Sequence, residues 1–194
     1  MDEKTLRYLY SNSKKSVRDI AEQLNCSEHK VNYWLKKYSI AKRTISEAVY
    51  LKNNPLGDPF CIRKPTKKED LILFGMGIGL YWGEGTKANK NAVRLGNSDP
   101  ILIKIFIKFL DSFFGVKKDK LKFQLQVFSD LDVESVINYW IKLLGIKRDQ
   151  LYKTIITPHR SLGTYRKRSS YGVMTLYYGN TKLRNILCNL LPKE

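Results

Sequence analysis

The segment from Leu71 to Gly85 constrains the fold more than any other part of this sequence. It reads LILFGMGIGLYWGEG, and two acids precede it, as is favourable at the positive end of a helix. Glycine inside a helix costs about 1 kcal/mol relative to alanine. Three glycines recur every four residues and so share one helix face, on which we expect another backbone to pack closely: Gly75, Gly79 and Gly83.

A single carboxylate, Glu84, stands at the C-terminal end of this helix, and Gly85 follows it as a natural cap. The helix dipole disfavours negative charge at that end. A bound divalent cation would reverse the sign, because it is the largest local charge in its site. Glu84 is therefore a candidate metal ligand.

Residues 77–85, GIGLYWGEG, resemble the signature of LAGLIDADG homing endonucleases. The glycine, leucine, small, acidic and final glycine positions of that signature are occupied by Gly79, Leu80, Gly83, Glu84 and Gly85. In that family two such helices pack side by side through their small residues, and each supplies its acid to divalent metals at the scissile phosphates. The resemblance implies that Glu84 is catalytic and binds Mg²⁺ or another divalent metal.

The sequence holds one copy of this motif, so a symmetric pair of helices requires a homodimer. The expected dimer interface is the glycine face, Gly75, Gly79 and Gly83. A buried packing helix with an incidental glutamate remains an alternative. A dinucleotide-binding glycine loop fits poorly, because no strand precedes the glycines and their spacing differs.

A second pattern lies in the first 50 residues. Ser16 and Asp19 have the spacing of a helix-capping serine and acid, and Ser27 has the position of a second cap. Between the two helices, Asn25 tolerates the left-handed backbone of a sharp turn. This arrangement resembles the helix-turn-helix of DNA-binding regulators. An ordinary helical hairpin would share the pattern, but the basic charge favours DNA binding.

In the helix-turn-helix interpretation, Ser27–Tyr38 is the recognition helix. Its N-terminal side chains would reach base edges in the major groove, and its C-terminal lysines would meet phosphates. The candidate DNA-binding residues here are His29, Lys30, Asn32, Tyr33 and Lys36.

The charge balance favours a polyanionic partner. Thirty-five Lys and Arg oppose eighteen Asp and Glu, for a net charge of +17. The excess is shared, with +6 in residues 1–65 and +11 in residues 66–194. Double-stranded DNA is the expected partner. A membrane is not expected, because the longest apolar run, Leu71–Trp82, is shorter than the roughly 20 residues that span a bilayer.

Turn-rich and basic stretches suggest three segments: a helix-turn-helix domain over residues 1–50, a basic linker over 51–67, and a larger domain over 68–194. The three cysteines are far apart and have no metal-site spacing. Nothing in the pattern indicates export, so we expect a cytoplasmic protein with reduced thiols.

After the motif helix, the sequence predicts strand, helix, strand, helix, strand, strand and helix over residues 91–191. This order resembles LAGLIDADG domains, which implies an α+β fold in which helices cover one face of an antiparallel sheet. The other face forms a saddle over DNA. The residues expected on that face are Arg94, Lys122, Gln124 and Gln126.

Two further sets of residues are candidates. A basic loop between the last two strands would grip phosphates through Arg160, Arg166 and Arg168. Lys153, placed in a strand over 151–157, is a candidate catalytic lysine near the reacting phosphate.

Taken together, these patterns predict a homodimeric, metal-dependent, site-specific DNA endonuclease of homing type. The alternative is a non-catalytic transcriptional regulator that joins a helix-turn-helix to a degenerate LAGLIDADG domain. In the regulators of that type the module order is reversed and the acids are often lost, so the presence of Glu84 favours the nuclease. RNA-splicing maturase activity, known among relatives of the family, is a third hypothesis.

Overall fold

Eight α-helices and one four-stranded sheet make up the regular structure of residues 1–158 and 170–192, which are the residues that the computed structural model describes. The chain is thus mixed α+β, and roughly half of it is helical. It forms two units, an N-terminal unit, Met1–Pro59, and a C-terminal unit, Phe60–Glu194.

The N-terminal unit is all helical. Its helices are α1 (Glu3–Arg7), which continues into a π-helical turn at Tyr8–Asn12, α2 (Val17–Gln23), α3 (Glu28–Lys37) and α4 (Ile45–Asn53). The centre of its core consists of four side chains without solvent exposure, Leu6, Ile20, Val31 and Leu35. They come from three different helices, so α1, α2 and α3 stabilise one another by burying their apolar faces.

The capping and turn residues of α2 and α3 adopt the conformations that the sequence predicts. Ser16 and Asp19 form a reciprocal capping box at the start of α2. Asn25 takes the left-handed conformation, with φ of 46°. The Ser27 hydroxyl accepts a hydrogen bond from the backbone N–H of Lys30, which begins α3. The turn between the two helices is therefore encoded by Asn25 and its neighbouring caps.

Helix α4 begins at a second capping box, formed by Thr44 and Glu47. The structure describes all of α4 and buries none of its residues. Residues 51–53, which the sequence analysis assigned to a linker, are the last turn of this helix. Further on, Phe60 lies in the core of the C-terminal unit, and the Cys61 N–H donates to the Phe114 carbonyl.

The C-terminal unit follows the predicted order of elements. These are α5 (Lys68–Glu84), β1 (Val93–Asn97), α6 (Pro100–Phe114), β2 (Lys122–Phe128), α7 (Val133–Leu144), β3 (Ile155–Thr157), β4 (Val173–Tyr178) and α8 (Thr181–Asn189). Helices α6 and α7 each start at an aspartate cap, Asp99 and Asp132, and end at a left-handed glycine, Gly115 and Gly145.

The sheet has the order β1-β4-β2-β3. Strand β4 pairs antiparallel with β1 and β2, but β3 pairs parallel with β2. The prediction of a wholly antiparallel sheet was therefore wrong. The cause is the connection: α7 carries the chain from the end of β2 back to its start, so β3 runs in the same direction as β2.

The core lies on one face of this sheet. Alternate residues of β2, namely Phe123, Leu125 and Val127, are buried with the phenylalanines of α6. Residues of β2 on the opposite face, such as Lys122 and Gln126, are exposed. The sheet thus presents one face to the helices and a polar face to solvent. No helix in the described parts of the chain has the length and apolar character that crossing a membrane requires.

Candidate nucleic-acid interface and metal site

Helix α5 has an open glycine face. Apart from the helix's own backbone, no atom of the described residues lies within 4 Å of where a Cβ would stand at Gly75, Gly79 or Gly83. Large apolar side chains beside these glycines are also exposed: Leu71, Ile72, Met76 and Trp82. By contrast, Gly77 faces the core, and a Cβ there would overlap the ring of Phe109. Among the described residues, the close packing of α5 therefore involves Gly77, whereas the glycine face is open.

Glu84 is exposed in the last turn of α5. The ammonium group of Lys87 donates hydrogen bonds to the carbonyls of Tyr81 and Trp82 at the same end of the helix. A cation supplied by the chain thus offsets the negative end of the helix dipole next to Glu84. Sequence reasoning did not identify Lys87, although a lysine just after a helix end is a known signal of this arrangement.

The backbone conformation at the C-terminal cap of α5 differs from the expected one. Gly85 is extended, with φ of −72°, instead of left-handed. A Cβ at Gly85 would collide with the Tyr81 carbonyl oxygen and ring, so glycine is required by close packing and not by a positive φ. Gly85 then pairs with Leu95 of β1, and the Thr86 N–H donates to the Arg94 carbonyl. These bonds fix the end of the motif helix to the sheet.

Tyr81 holds this end of the helix against the hydrophobic core. Its side chain is fully buried, and its ring stacks on Phe106 with centroids 6.0 Å apart. Its hydroxyl lies 3.9 Å from the Cys188 sulfur. Burial, with Cys188 beside it, raises the pKa of Tyr81 well above its ordinary value. Tyr81 therefore stays neutral and has a structural role.

The donors available for a metal are few. Residues 1–158 and 170–192 contain no group of three or more His, Cys, Asp and Glu side chains that could hold a metal ion. Mg²⁺, however, is often bound by one or two carboxylates together with water and phosphate oxygens. The exposed carboxylate of Glu84 fits that hard-oxygen chemistry, and a second chain would bring a second carboxylate.

A hydrogen-bonded network crosses the polar face of the sheet. The Arg94 guanidinium donates to the Tyr177 hydroxyl at 2.9 Å, and that hydroxyl donates to Gln124 Oε1 at 2.9 Å. Gln124 Nε2 in turn donates to the Lys153 carbonyl at 3.4 Å. The Arg94 guanidinium also lies over the Tyr177 ring, 4.6 Å from its centroid. Side chains from β1, β4 and β2 are thus held in one arrangement.

The other predicted residues of this face, on β2, donate hydrogen bonds to residues in or near β3. Lys122 Nζ donates to the Asp149 carbonyl at 2.9 Å, and Gln126 Nε2 donates to Thr157 Oγ1 at 3.3 Å. Sequence reasoning identified Arg94, Lys122 and the two glutamines by strand alternation. It missed Tyr177, which joins Arg94 to Gln124, because the partner of each strand was not known.

Lys153 is exposed but lies outside a strand, because β3 begins at Ile155. The placement of Lys153 in a strand was therefore wrong. Leu151 makes only an isolated bridge to Phe123, and the chain regains regular pairing four residues later. Within the described residues, no hydrogen bond or ion pair joins Lys153 to Glu84.

The candidate residues of α3 lie on its outer side. His29, Lys30, Tyr33 and Lys36 are exposed, and Asn32 is half-buried. Next to them the ammonium of Lys37 lies 4.6 Å from the Trp34 ring centroid. The predicted basic loop, Arg160, Arg166 and Arg168, lies outside the described residues.

Comparison with known proteins gave no match: no family model, no curated protein and no solved structure matches this chain.

Proposed function

We propose that this protein is a DNA-binding, divalent-metal-dependent, site-specific endonuclease of homing type that acts as a homodimer. The observation that carries the proposal is the open glycine face of α5, which ends in the exposed carboxylate of Glu84. The resemblance of residues 77–85 to the LAGLIDADG signature supports the same interpretation.

A two-fold axis beside α5 accounts for its unusual surface. Gly75, Gly79 and Gly83 each lower the stability of the helix, and no other described residue lies in the space where their Cβ atoms would stand. A second copy of α5 would use the space above them and would cover the exposed apolar residues Ile72 and Trp82. Such an isologous contact places the same surface on both chains, and with the axis parallel to α5 it brings two Glu84 side chains to one end of the helix pair.

The polar sheet face is suited to duplex DNA. Arg94, Lys122 and Gln124 offer donors of the kind that contact phosphates and base edges. The network through Tyr177 limits the freedom of Arg94 and Gln124 before DNA arrives, which lowers the entropy cost of binding. The helix-turn-helix interpretation gives α3 a second set of contacts in the major groove.

In this proposal the Glu84 of each chain would hold a divalent metal at one of the two scissile phosphates, and the sheet residues hold the duplex in place. A bound divalent metal supplies Lewis acidity at the phosphate and lowers the pKa of its bound water. Lys87 holds the end of α5 in position, so it is a positioning residue for Glu84.

One observation favours a second function, a non-catalytic DNA-binding regulator. Lys87 already compensates the negative end of α5, so a bound metal is not required to explain Glu84 there. In that case the glycine face and the sheet face would serve dimerisation and DNA binding only.

Incubation with Mg²⁺ and a randomised duplex library, followed by sequencing of cut ends, separates the two functions. The nuclease proposal predicts cutting at a defined site, and Glu84→Gln abolishes cutting while changing DNA affinity little. Glu69→Gln is the matched control, because Glu69 is an exposed acid at the other end of α5. Absence of cutting by the unmodified protein would support the regulator, whereas full cutting by Glu84→Gln would remove Glu84 from the nuclease site.

A further inference from the structure

Four lysines surround an open pocket on the helical side of the C-terminal unit. Lys104 and Lys108 lie one turn apart on α6, and Lys117 and Lys118 follow that helix in the chain. The pocket has a volume of about 530 Å³, and Ile107, Asp111 and Leu144 complete its lining. We refer to it as the lysine pocket.

The charges in the lysine pocket are only partly satisfied. Lys117 Nζ pairs with the Asp111 carboxylate at 3.0 Å, and Lys118 Nζ donates to the Leu144 carbonyl at 3.2 Å. Lys104 and Lys108 make no hydrogen bond or ion pair with the residues that the structure describes. Four ammonium groups against one carboxylate leave a concentrated positive charge, which attracts anions.

This charge lies on the side of the C-terminal unit away from the polar sheet face. Buried residues of α6, such as Phe106 and Leu110, point into the core beneath the sheet, whereas Lys104 and Lys108 point outward. Arg94 is on the opposite face of the sheet. A helix is about 10 Å across and packs about 10 Å from a sheet, so a straight duplex on the sheet face cannot also reach the pocket.

The chemistry favours an extended polyanion over a small one. The pocket offers exposed ammonium groups, which bind phosphate as point charges, and no arginine fork for bidentate recognition. An exposed ion pair with one small anion gains little in water. A nucleic-acid strand contacts several lysines at once and releases condensed counterions, which gives sequence-independent affinity.

We propose that the lysine pocket binds the phosphodiester backbone of a second nucleic-acid segment, separate from the segment on the sheet face. Binding at the lysine pocket does not require cleavage. The C-terminal unit would hold one nucleic-acid segment on the sheet and another across α6.

A bridging experiment tests the proposal. Full-length protein is captured on a bead-bound duplex, and a second, fluorescent duplex of unrelated sequence is then added. The double variant Lys104→Gln/Lys108→Gln is expected to capture about tenfold less of the second duplex while still binding the bead-bound duplex. Asp111→Asn removes the one carboxylate among the described residues that line the pocket, so it is expected to increase capture.

Glu134→Gln is the matched control for Asp111→Asn. Glu134 is also an exposed acid of the C-terminal unit, and it pairs with Arg148 at 2.7 Å outside the pocket. Equal capture by the lysine variant and the unmodified protein would overturn the proposal, as would equal effects of Asp111→Asn and Glu134→Gln.

Titration with inorganic phosphate separates a small anion from a nucleic acid. The proposal predicts no saturable heat of binding with submillimolar phosphate. Submillimolar binding that the lysine variant abolishes, without capture of a second duplex, would overturn it. The proposed nuclease is judged by different data, cutting by Glu84 variants, so either idea can fail alone.

Discussion

Tyr177 organises the polar face of the sheet more than any charged residue does. Its hydroxyl accepts from Arg94 and donates to Gln124, and its ring contacts the Arg94 guanidinium and the edge of Tyr152. Arg94 Nε is buried and has no hydrogen-bond partner among the described residues, so the contacts with Tyr177 are what position the guanidinium. Arginine held in one orientation can read guanine through two hydrogen bonds.

Tyr177→Phe is therefore expected to lower discrimination among DNA sites by about tenfold, the value of one hydrogen bond to a charged group. Loss of the hydroxyl frees both Arg94 and Gln124 to adopt other rotamers. Sequencing of sites bound from a random library, for variant and unmodified protein, measures the effect. Tyr152→Phe is the control, since it removes a hydroxyl from the neighbouring ring. Equal preferences for the Tyr177 and Tyr152 variants would contradict this account.

At the scale of elements, α5 uses its glycines in two different ways. Gly77 is buried and allows the helix to approach Phe109 of α6. The glycine face, on another side of the helix, is open. Gly77 therefore serves the packing of a single chain, and the glycine face is available for a partner.

Substitutions at two of these glycines should have opposite consequences. Gly77→Ala overpacks the contact with Phe109 and is expected to lower the free energy of unfolding by about 1–3 kcal/mol. Gly79→Leu meets open space, so the chain is expected to keep its stability while losing the ability to dimerise. Denaturant unfolding measures the first effect, and sedimentation measures the second. A Gly79→Leu protein that unfolds like Gly77→Ala, or that still dimerises, would refute this division.

Local signals predicted most of the elements. Asp99 and Gly115 define the ends of α6, and strand alternation identified the buried face of β2, because caps and periodicity depend only on nearby residues. Two features could not be predicted in this way. The parallel pairing of β3 depends on the path of α7, and the extended backbone of Gly85 depends on Tyr81 and β1.

The candidate site was predicted less completely than the fold. Alternation placed Arg94 and Gln124 on one face, but the link through Tyr177 needs the strand order β1-β4-β2. Similarly, Lys87 reaches the end of α5 only because the chain turns back after Gly85. Both residues act through contacts that a linear pattern does not contain.

The net charge of +17 over the whole molecule predicts that DNA affinity depends strongly on salt concentration. If about six phosphates are neutralised, the logarithm of DNA affinity should fall against the logarithm of salt with a slope near −5. Fluorescence anisotropy over a range of salt concentrations measures this slope. A flat affinity would show that the basic surface is not used for nucleic acid.

In the proposed dimer, two chains each supply one Glu84 to one DNA site. A mixed dimer of one unmodified chain and one Glu84→Gln chain, isolated through two different tags, is the decisive test. On a supercoiled plasmid that carries the cleavage site found by library selection, the account predicts that the unmodified dimer linearises the plasmid. The mixed dimer should nick one strand and accumulate open circles. Linearisation by the mixed dimer at the unmodified rate would contradict the claim.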